Sequence, residues 1–162
     1  MRLWLALPVS WALLLGCATT QSAVHGGFVG LDDGGKVVLA THDGGTVRLF
    51  GPDAEELEAI VGANVKVEGL PAPGGFTVRR YQIIDVGNGF FAYVGWVSVD
   101  QSGCWFREWR TGRDWQLELV DTEEFKRLHH VKIWISGVEV GPRRLQPLQW
   151  GVLRAREDEQ GN

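Results

Sequence analysis

The stretch GKVVLATHDGGTVRLFGPDAEELEAIVGANVKVEG, residues 35–69, has the pattern of a strand, an Asp-Gly-Gly turn, a strand, a short acidic helix and a strand. The stretch GCWFREWRTGRDWQLELVDTEEFKRLHHVKIWISG, residues 103–137, follows the same order, displaced by 68 positions. Turn glycines, the acidic helix start and the alternating apolar positions agree between the two. We interpret this agreement as an internal duplication, which predicts two copies of one small fold.

Equivalent positions in the two copies preserve turn residues and apolar residues. They are Gly44 with Gly112, Leu49 with Leu117, Glu55 with Glu123, Val65 with Ile133, Val67 with Ile135, and Gly69 with Gly137. Two positions depart, because Gly62 is replaced by His130 and Asn64 by Lys132. Histidine adopts positive φ less readily than glycine. We therefore expect the tight turn at this point to differ in the second copy.

Each copy is predicted to hold five short strands, with one short helix between strands 3 and 4. Asp-Gly and Gly-Gly pairs between apolar runs indicate hairpin turns, because such turns need positive φ. In the first copy the strands are predicted at residues 28–31, 36–41, 46–50, 65–68 and 76–84. Asp53 is predicted to cap the helix while Glu56 reaches back in a capping box. Asp121 begins the equivalent helix of the second copy.

Two motifs carry a resemblance to a known fold family. They are Asp-Gly-Gly-Thr-Val-Arg-Leu at residues 43–49 and Gly-Ala-Asn-Val-Lys-Val-Glu-Gly at residues 62–69. With the predicted element order, which is that of an OB-fold barrel, the chain resembles small OB-fold domains of uncharacterised bacterial envelope proteins. The resemblance implies a mainly β fold of two tandem OB-like five-stranded barrels after a cleaved N-terminal signal helix. It brings no catalytic residues to this chain.

The N-terminus has the pattern of a secretory signal segment. Arg2 precedes an apolar run that is too short for a membrane-spanning helix, which needs about 20 apolar residues. Leu14-Leu15-Gly16-Cys17 resembles the bacterial lipoprotein lipobox. The resemblance implies cleavage before Cys17 and lipid attachment to its Sγ, which anchors the protein in the membrane. The alternative is a signal-segment cysteine that is followed by a different cleavage site.

These predictions divide the chain into six segments. They are a signal peptide at 1–16, the lipidated Cys17 and a tether at 17–25, a first OB-like copy at 26–86, a linker at 87–89, a second OB-like copy at 90–154, and a charged tail at 155–162. His25 is expected to be a solvated residue of the tether. Ala18 stands where many inner-membrane lipoproteins have Asp, which implies an outer-membrane location facing the periplasm of the bacterial cell envelope. Because copies of about 60 residues are marginally stable alone, we expect the two to pack together.

The charge of the chain argues against nucleic-acid binding. The formal net charge is −4, whereas affinity for nucleic acid comes mainly from Lys and Arg residues that neutralise phosphates. We therefore expect no nucleic-acid partner, although many OB-folds bind single strands. The sequence has no complete motif for a nucleotide, a cofactor or a metal ion, and we predict none of these.

Few residues are candidates for catalysis. Cys104 is a candidate nucleophile with His129 or His130 as its base, but it starts a predicted strand beside Trp105 and no activating feature is visible. We favour the alternative of a buried, structural thiol. His129 and His130 are predicted to open a strand, where adjacent side chains point to opposite faces. We therefore do not expect one metal ion to bind both, and we predict that the protein is not an enzyme.

Tryptophan is concentrated in the second copy, which contains all six tryptophans of the predicted mature chain. Trp105, Arg107 and Trp109 share one face of a predicted strand. Trp134 alternates with inward-facing neighbours and is therefore expected to point outward. Aromatic side chains on an OB sheet stack on bases or sugar rings, which makes these four the candidate binding residues. Bulky aromatics also fill cores and domain interfaces, and this alternative stays open.

The sequence thus predicts a non-catalytic, lipid-anchored envelope protein that acts as a protein-interaction or structural module. Its expected partners are the membrane, through the lipid on Cys17, and another envelope protein. The alternative is a small molecule or oligosaccharide bound at the Trp-rich face of the second copy. A concave site with convergent polar groups would favour the small ligand, and a flat, filled face would favour a protein partner.

Overall fold

The structure is a computed structural model that describes residues 21–154. Strands make up most of it, which confirms the prediction of a mainly β fold. The predicted signal peptide, Cys17 with the rest of the lipobox, and the charged tail 155–162 lie outside the described residues.

The first half of the described chain, residues 21–86, contains five strands and one short helix. They are β1 (Ala23–Leu31), β2 (Val37–Thr41), β3 (Thr46–Phe50), α1 (Pro52–Leu57), β4 (Asn64–Ala72) and β5 (Gly75–Asp85). A 3-10 turn at Glu58–Ile60 follows α1. The sheet order is β1-β2-β3-β5-β4, and the sheet closes because β1 also pairs with β4. β3 and β5 are parallel, and the other neighbours are antiparallel.

The second half, residues 90–154, repeats this order of elements. They are β6 (Ala92–Asp100), β7 (Gly103–Glu108), β8 (Asp114–Leu117), α2 (Thr122–Arg127), β9 (Lys132–Gly141) and β10 (Arg144–Arg154). The sheet order β10-β8-β7-β6-β9 closes into a five-stranded barrel, with β8 and β10 parallel. In both halves the helix lies between strands 3 and 4, as predicted.

Glycines at equivalent positions allow close pairing of the strands. A Cβ at Gly27 would lie 2.1 Å from the carbonyl oxygen of Ala40, and one at Gly95 would lie 2.0 Å from that of Arg107. Gly95 follows Gly27 by 68 positions, the displacement of the sequence repeat. Because no side chain fits at such distances, both positions need glycine for the strands to pair as they do.

The turns that precede β4 and β9 have the same conformation despite different sequences. Gly62 has a φ of 91° and His130 a φ of 62°. The amide of Gly62 donates to the carbonyl of Val29 (2.8 Å), and that of His130 donates to the carbonyl of Val97 (2.9 Å), again 68 positions further on. The prediction of a different turn in the second copy is therefore wrong. The backbone hydrogen bond holds His130 in the left-handed region.

We expect these two turns to respond in opposite ways to substitution. His130→Gly relieves a left-handed histidine and raises the free energy of unfolding by about 0.5–1 kcal/mol, whereas Gly62→Ala lowers it by about 1 kcal/mol. Urea unfolding of the variants measures both changes. Gly30→Ala is the matched control, because its Cβ would make an ordinary contact of 3.5 Å with Val38. A destabilised His130→Gly protein would show that the histidine side chain, and not the backbone, governs this turn.

The two helices begin differently. α2 begins as predicted, since the Asp121 carboxylate accepts hydrogen bonds from two amides of the first turn. α1 has Gly51 at its N-cap and no side-chain cap, so the predicted capping box of Asp53 and Glu56 is wrong. Glu56 is instead buried, and its ion-pair partner Lys132 comes from the second half of the chain.

The first strand starts earlier than predicted. Residues 23–25 belong to β1 and pair with β4, so the predicted tether, residues 17–25, ends before Ala23. His25, predicted to be solvated, is half-buried and lies edge-on to Phe76, with 4.8 Å between the ring centroids. His25, Gly26 and Gly27 interrupt the alternation of apolar and polar residues, so this alternation does not predict the beginning of β1.

Buried side chains form two clusters, and the first extends across the junction of the two halves. Four residues of the second half, Ala92, Val94, Trp134 and Leu153, belong to the cluster of the first half. The other cluster lies within the second half, around Phe106 and Ile133. The shared core confirms that the two halves pack against each other, as expected.

Candidate functional site

Trp105 and Arg107 of the predicted binding face both lie on β7 and are engaged with neighbours on the surface of the second half. Trp105 is half-buried, and its Nε1 donates to Ser102 Oγ (2.9 Å). Arg107 is exposed and forms an ion pair with Asp114, with Nε 2.8 Å from Oδ1. The hydrogen bond from Arg107 holds the pKa of the Asp114 carboxyl below its usual range.

Trp109 does not share this face, and the prediction that it does is wrong. β7 ends at Glu108, and the next amide, that of Trp109, donates to the carbonyl of Val94 (2.7 Å). The ring of Trp109 lies against the first half, with 5.8 Å between its centroid and that of Tyr81. Lys132 Nζ lies 4.0 Å from the same ring. Trp109 is therefore part of the junction between the halves.

Trp134 points away from its own barrel, as the alternation predicts, but it is not exposed. Only 7% of the residue is accessible, because it packs into the core cluster of the first half. Gly151 leaves room for the ring, since a Cβ there would lie 2.7 Å from Trp134 Nε1. The expectation that Trp134 is exposed is therefore wrong. Tertiary packing covers a surface that strand periodicity alone assigns to solvent.

A buried ion pair joins the two halves at this junction. Glu56 of α1 is 3% exposed and Lys132 of β9 is 8% exposed. Lys132 Nζ donates to Glu56 Oε2 (2.6 Å), and the Tyr81 hydroxyl donates to the same oxygen (2.7 Å). The Trp109 ring beside Lys132 Nζ adds a cation–π contact. We call Glu56, Tyr81, Trp109 and Lys132 the junction cluster.

The junction cluster was not predicted from the sequence. The local pattern assigns Glu56 to a helix cap and marks Lys132 only as a difference between the copies. The available signal was the run at residues 131–135, in which a lysine stands among apolar residues. A charge in such a place is buried only with a partner. That partner is 76 positions away, which no local pattern reveals.

Aromatic rings form a row at one side of the second half. Phe91 lies edge-on to Tyr93 with centroids 5.2 Å apart, and Tyr93 lies 5.4 Å from Trp115. The guanidinium carbon of Arg113 lies 5.0 Å from the centroid of the Trp115 ring. We call Phe91, Tyr93, Trp115 and Arg113 the aromatic ladder. Sequence reasoning did not single it out, because its members come from two strands and two loops.

Tyr93 is held as a neutral hydrogen-bond donor within the aromatic ladder. Its hydroxyl donates to Glu139 Oε1 (2.9 Å). Burial, together with the neighbouring Glu139 carboxylate, raises the pKa of Tyr93 to about 12. The phenol therefore stays protonated well above neutral pH, and Glu139 stays oriented by it.

An open cavity of about 540 Å³ lies beside the aromatic ladder. Its lining consists of Arg113, Trp115, Glu139, Gly141, Pro142 and Arg143. Arg143 has a φ of 58°, a strained conformation that often marks functional sites. Within residues 21–154, neither Arg113 nor Arg143 forms an ion pair, and the buried Trp115 Nε1 has no acceptor. The cavity is thus open, borders the buried Trp115 and contains two arginines that form no ion pair, one of which lies over the Trp115 ring.

The side chains considered for catalysis take part in packing and backbone hydrogen bonding. Cys104 is 3% exposed in the core of the second half, which confirms the predicted buried thiol. His129 Nδ1 accepts a hydrogen bond from the amide of Val99 (3.3 Å). β9 begins only at Lys132, so the prediction that His129 and His130 open a strand and face opposite ways is wrong. They lie on the preceding turn with ring centroids 3.9 Å apart.

Residues 21–154 contain neither a group of metal ligands nor a helix able to span a membrane. No three His, Cys, Asp or Glu side chains in this range are grouped so as to hold a metal ion. No helix in the same range combines the length and the hydrophobicity that crossing a bilayer requires.

No protein-family model, no curated protein and no solved structure matches this chain.

Proposed function

We propose that the chain is a non-catalytic, lipid-anchored protein of the bacterial envelope, in which two tandem OB-like domains act as a binding module. The OB-like assignment is supported in each half by the strand order 1-2-3-5-4, the parallel pairing of strands 3 and 5, and the position of the helix. The lipobox supports lipid attachment at Cys17 and an outer-membrane location facing the periplasm.

The non-catalytic part of the proposal is supported by the way in which the reactive side chains are used. Cys104 is packed in the core of the second half and is 3% exposed. His129 Nδ1 accepts a hydrogen bond from the backbone amide of Val99. The nucleophile and the base that the sequence suggested therefore serve the fold.

The observation that carries the proposal is the aromatic ladder beside an open cavity that contains two arginines without ion-pair partners. Aromatic rings in OB-folds stack on rings of their ligands. Guanidinium groups bind carboxylates and other oxyanions with two parallel hydrogen bonds. Concave sites at the mouths of β-barrels are common ligand sites. We therefore propose as ligand a small molecule or oligosaccharide that has a ring to stack and an acidic group.

A protein partner is the second candidate, and exposed apolar side chains favour it. Val138 and Val140 of β9 point to solvent next to the turn that lines the cavity, and Leu148 of β10 is also exposed. Such side chains are commonly covered when a partner binds. Of the two candidates, the two arginines that border the cavity favour the small, acidic ligand.

Isothermal titration of the purified protein with soluble, acidic fragments of envelope glycan tests this proposal. Arg113→Ala and Arg143→Ala are each expected to weaken binding by about tenfold, because each removes a charge-assisted hydrogen bond. Phe91→Ala, which removes an exposed ring of the aromatic ladder, is expected to weaken it as well.

Arg127→Ala is the matched control, since Arg127 is an exposed arginine of α2 outside the cavity. It is expected to bind like the unaltered protein. The proposal fails if no fragment binds, or if Arg113→Ala and Arg143→Ala bind as tightly as Arg127→Ala. Circular dichroism of each variant establishes that it is folded.

A further inference from the structure

A β-bulge in β5 gives the first half two adjacent arginines that both face outward. The pairing of β4 with β5 shifts register between Glu68 and Gly69, which leaves Arg79 as an extra residue. Arg79 and Arg80 are both exposed, although the residues before and after them are buried. Two neighbours on a regular strand would point to opposite faces. The bulge re-aims one of them, as bulges do beside functional sites.

The second half has the same bulge without the charges. The pairing of β9 with β10 shifts register between Pro147 and Gln149, with Leu148 as the extra residue. Leu148 and Gln149 thus take the places that Arg79 and Arg80 have in the first half. The fold needs the bulge in both halves, but it does not need the two arginines.

The arginine pair lines a groove that both halves form. Its cavity of about 280 Å³ is bounded by Arg79, Arg80, Tyr81, Trp109 and Arg110. A smaller adjoining cavity of about 90 Å³ shares Arg80, Tyr81 and Arg110 and adds Lys66, Glu68 and Gln82. We call these eight residues the basic groove. Arg110 is hydrogen-bonded to the side-chain oxygen of Gln82, which fixes it across the junction.

The basic groove concentrates positive charge in a chain whose formal net charge is −4. Its carboxylate, Glu68, has Oε2 3.9 Å from Arg80 Nε, a weak pairing. Within residues 21–154, Arg79, Arg110 and Lys66 form no ion pair. Several guanidinium groups around one cavity match the geometry of phosphate oxygens, which they bind through paired hydrogen bonds.

We infer that the basic groove binds a phosphate group, and that this group belongs to the headgroup of an anionic phospholipid. β1 begins at Ala23, which pairs with Gly69 beside the bulge. The chain therefore enters the fold next to the groove. The choice of a lipid rests on the proposed function: residues 17–23 span at most about 20 Å, so an anchor on Cys17 keeps the groove near the bilayer surface.

Vesicle binding tests this inference with the chain that begins at Ala18, because both sheets and both cores lie within residues 21–154. The probes are phosphatidylcholine vesicles with and without phosphatidylglycerol, and soluble glycerol phosphate. We expect binding to the anionic vesicles and not to the neutral ones. Arg79→Ala and Arg80→Ala are each expected to weaken it about fivefold. Arg127→Ala, which removes the same charge elsewhere, is the control and is expected to bind like the unaltered chain.

Binding of glycerol phosphate that is lost in the same two variants supports the phosphate site and assigns it to a soluble ligand. The inference is overturned if no probe binds, or if Arg79→Ala and Arg80→Ala bind as well as Arg127→Ala. Unchanged thermal unfolding establishes that the variants are folded. Glycan binding by Arg79→Ala and Arg80→Ala is expected to be retained, so a failure of this inference is distinguishable from a failure of the proposed function.

Discussion

Replacement of Lys132 by methionine is expected to lower the free energy of unfolding by about 3–5 kcal/mol, because it removes one partner of a buried ion pair. Glu56 keeps the hydrogen bond from the Tyr81 hydroxyl, but its carboxylate loses the ammonium group 2.6 Å away. Methionine preserves most of the apolar stem of lysine, so little of the effect comes from packing. Equilibrium unfolding in urea measures the change.

Two further variants separate the charge from other effects. Lys126→Met removes the lysine of an exposed ion pair with Glu123 and is expected to change stability by less than about 1 kcal/mol. Glu56→Gln in the Lys132→Met background removes the uncompensated charge, keeps an acceptor for Tyr81 and is expected to restore part of the loss. A Lys132→Met protein as stable as the unaltered one would contradict this account of the junction cluster.

Trp134→Ala is expected to lower the free energy of unfolding by about 3–5 kcal/mol, because it empties the space of a large buried side chain. Trp134 is 7% exposed and packs with residues of both halves, so the cavity lies at the junction. Urea unfolding measures the loss. Trp105→Ala is the control, since Trp105 is half-buried on the outer side of β7 and its removal is expected to have a smaller effect.

Tryptophan fluorescence gives an independent measure of the same burial. Trp134→Phe is expected to remove a blue-shifted component of the emission that acrylamide quenches poorly. Loss of a red-shifted and strongly quenched component would mean that Trp134 is exposed, and the shared core across the junction would then be wrong.

Two of the tryptophans that distinguish the second copy, Trp109 and Trp134, lie at the junction. Three positions of the second copy that build the junction differ from their equivalents 68 positions earlier. They are Trp109 in place of Thr41, Lys132 in place of Asn64, and Trp134 in place of Lys66. These differences between the copies supply contacts that join the two halves.

The local sequence pattern predicts a structural feature correctly where the interactions that form the feature lie within a few residues of each other. The cap of α2 by Asp121 followed from such a pattern, whereas the left-handed turn at His130 did not. At His130 a backbone hydrogen bond to Val97, 33 positions earlier in the chain, overrides the preference of the residue. β1 begins earlier than predicted for a similar reason. Residues 23–25 form a strand because they pair with β4, and not because of hydrophobic alternation.

The sequence by itself determined the mainly β fold, the order of strands and helices in each half and the burial of Cys104, because turn residues and alternation act over short distances. Only the tertiary structure decided the positions of Glu56, Trp109 and Trp134. Each of these side chains contacts at least one residue in the other half of the chain. The periodicity of a strand predicts which face of its own sheet a side chain lies on. Whether that face is exposed to solvent or buried depends on how the other half of the chain packs against it.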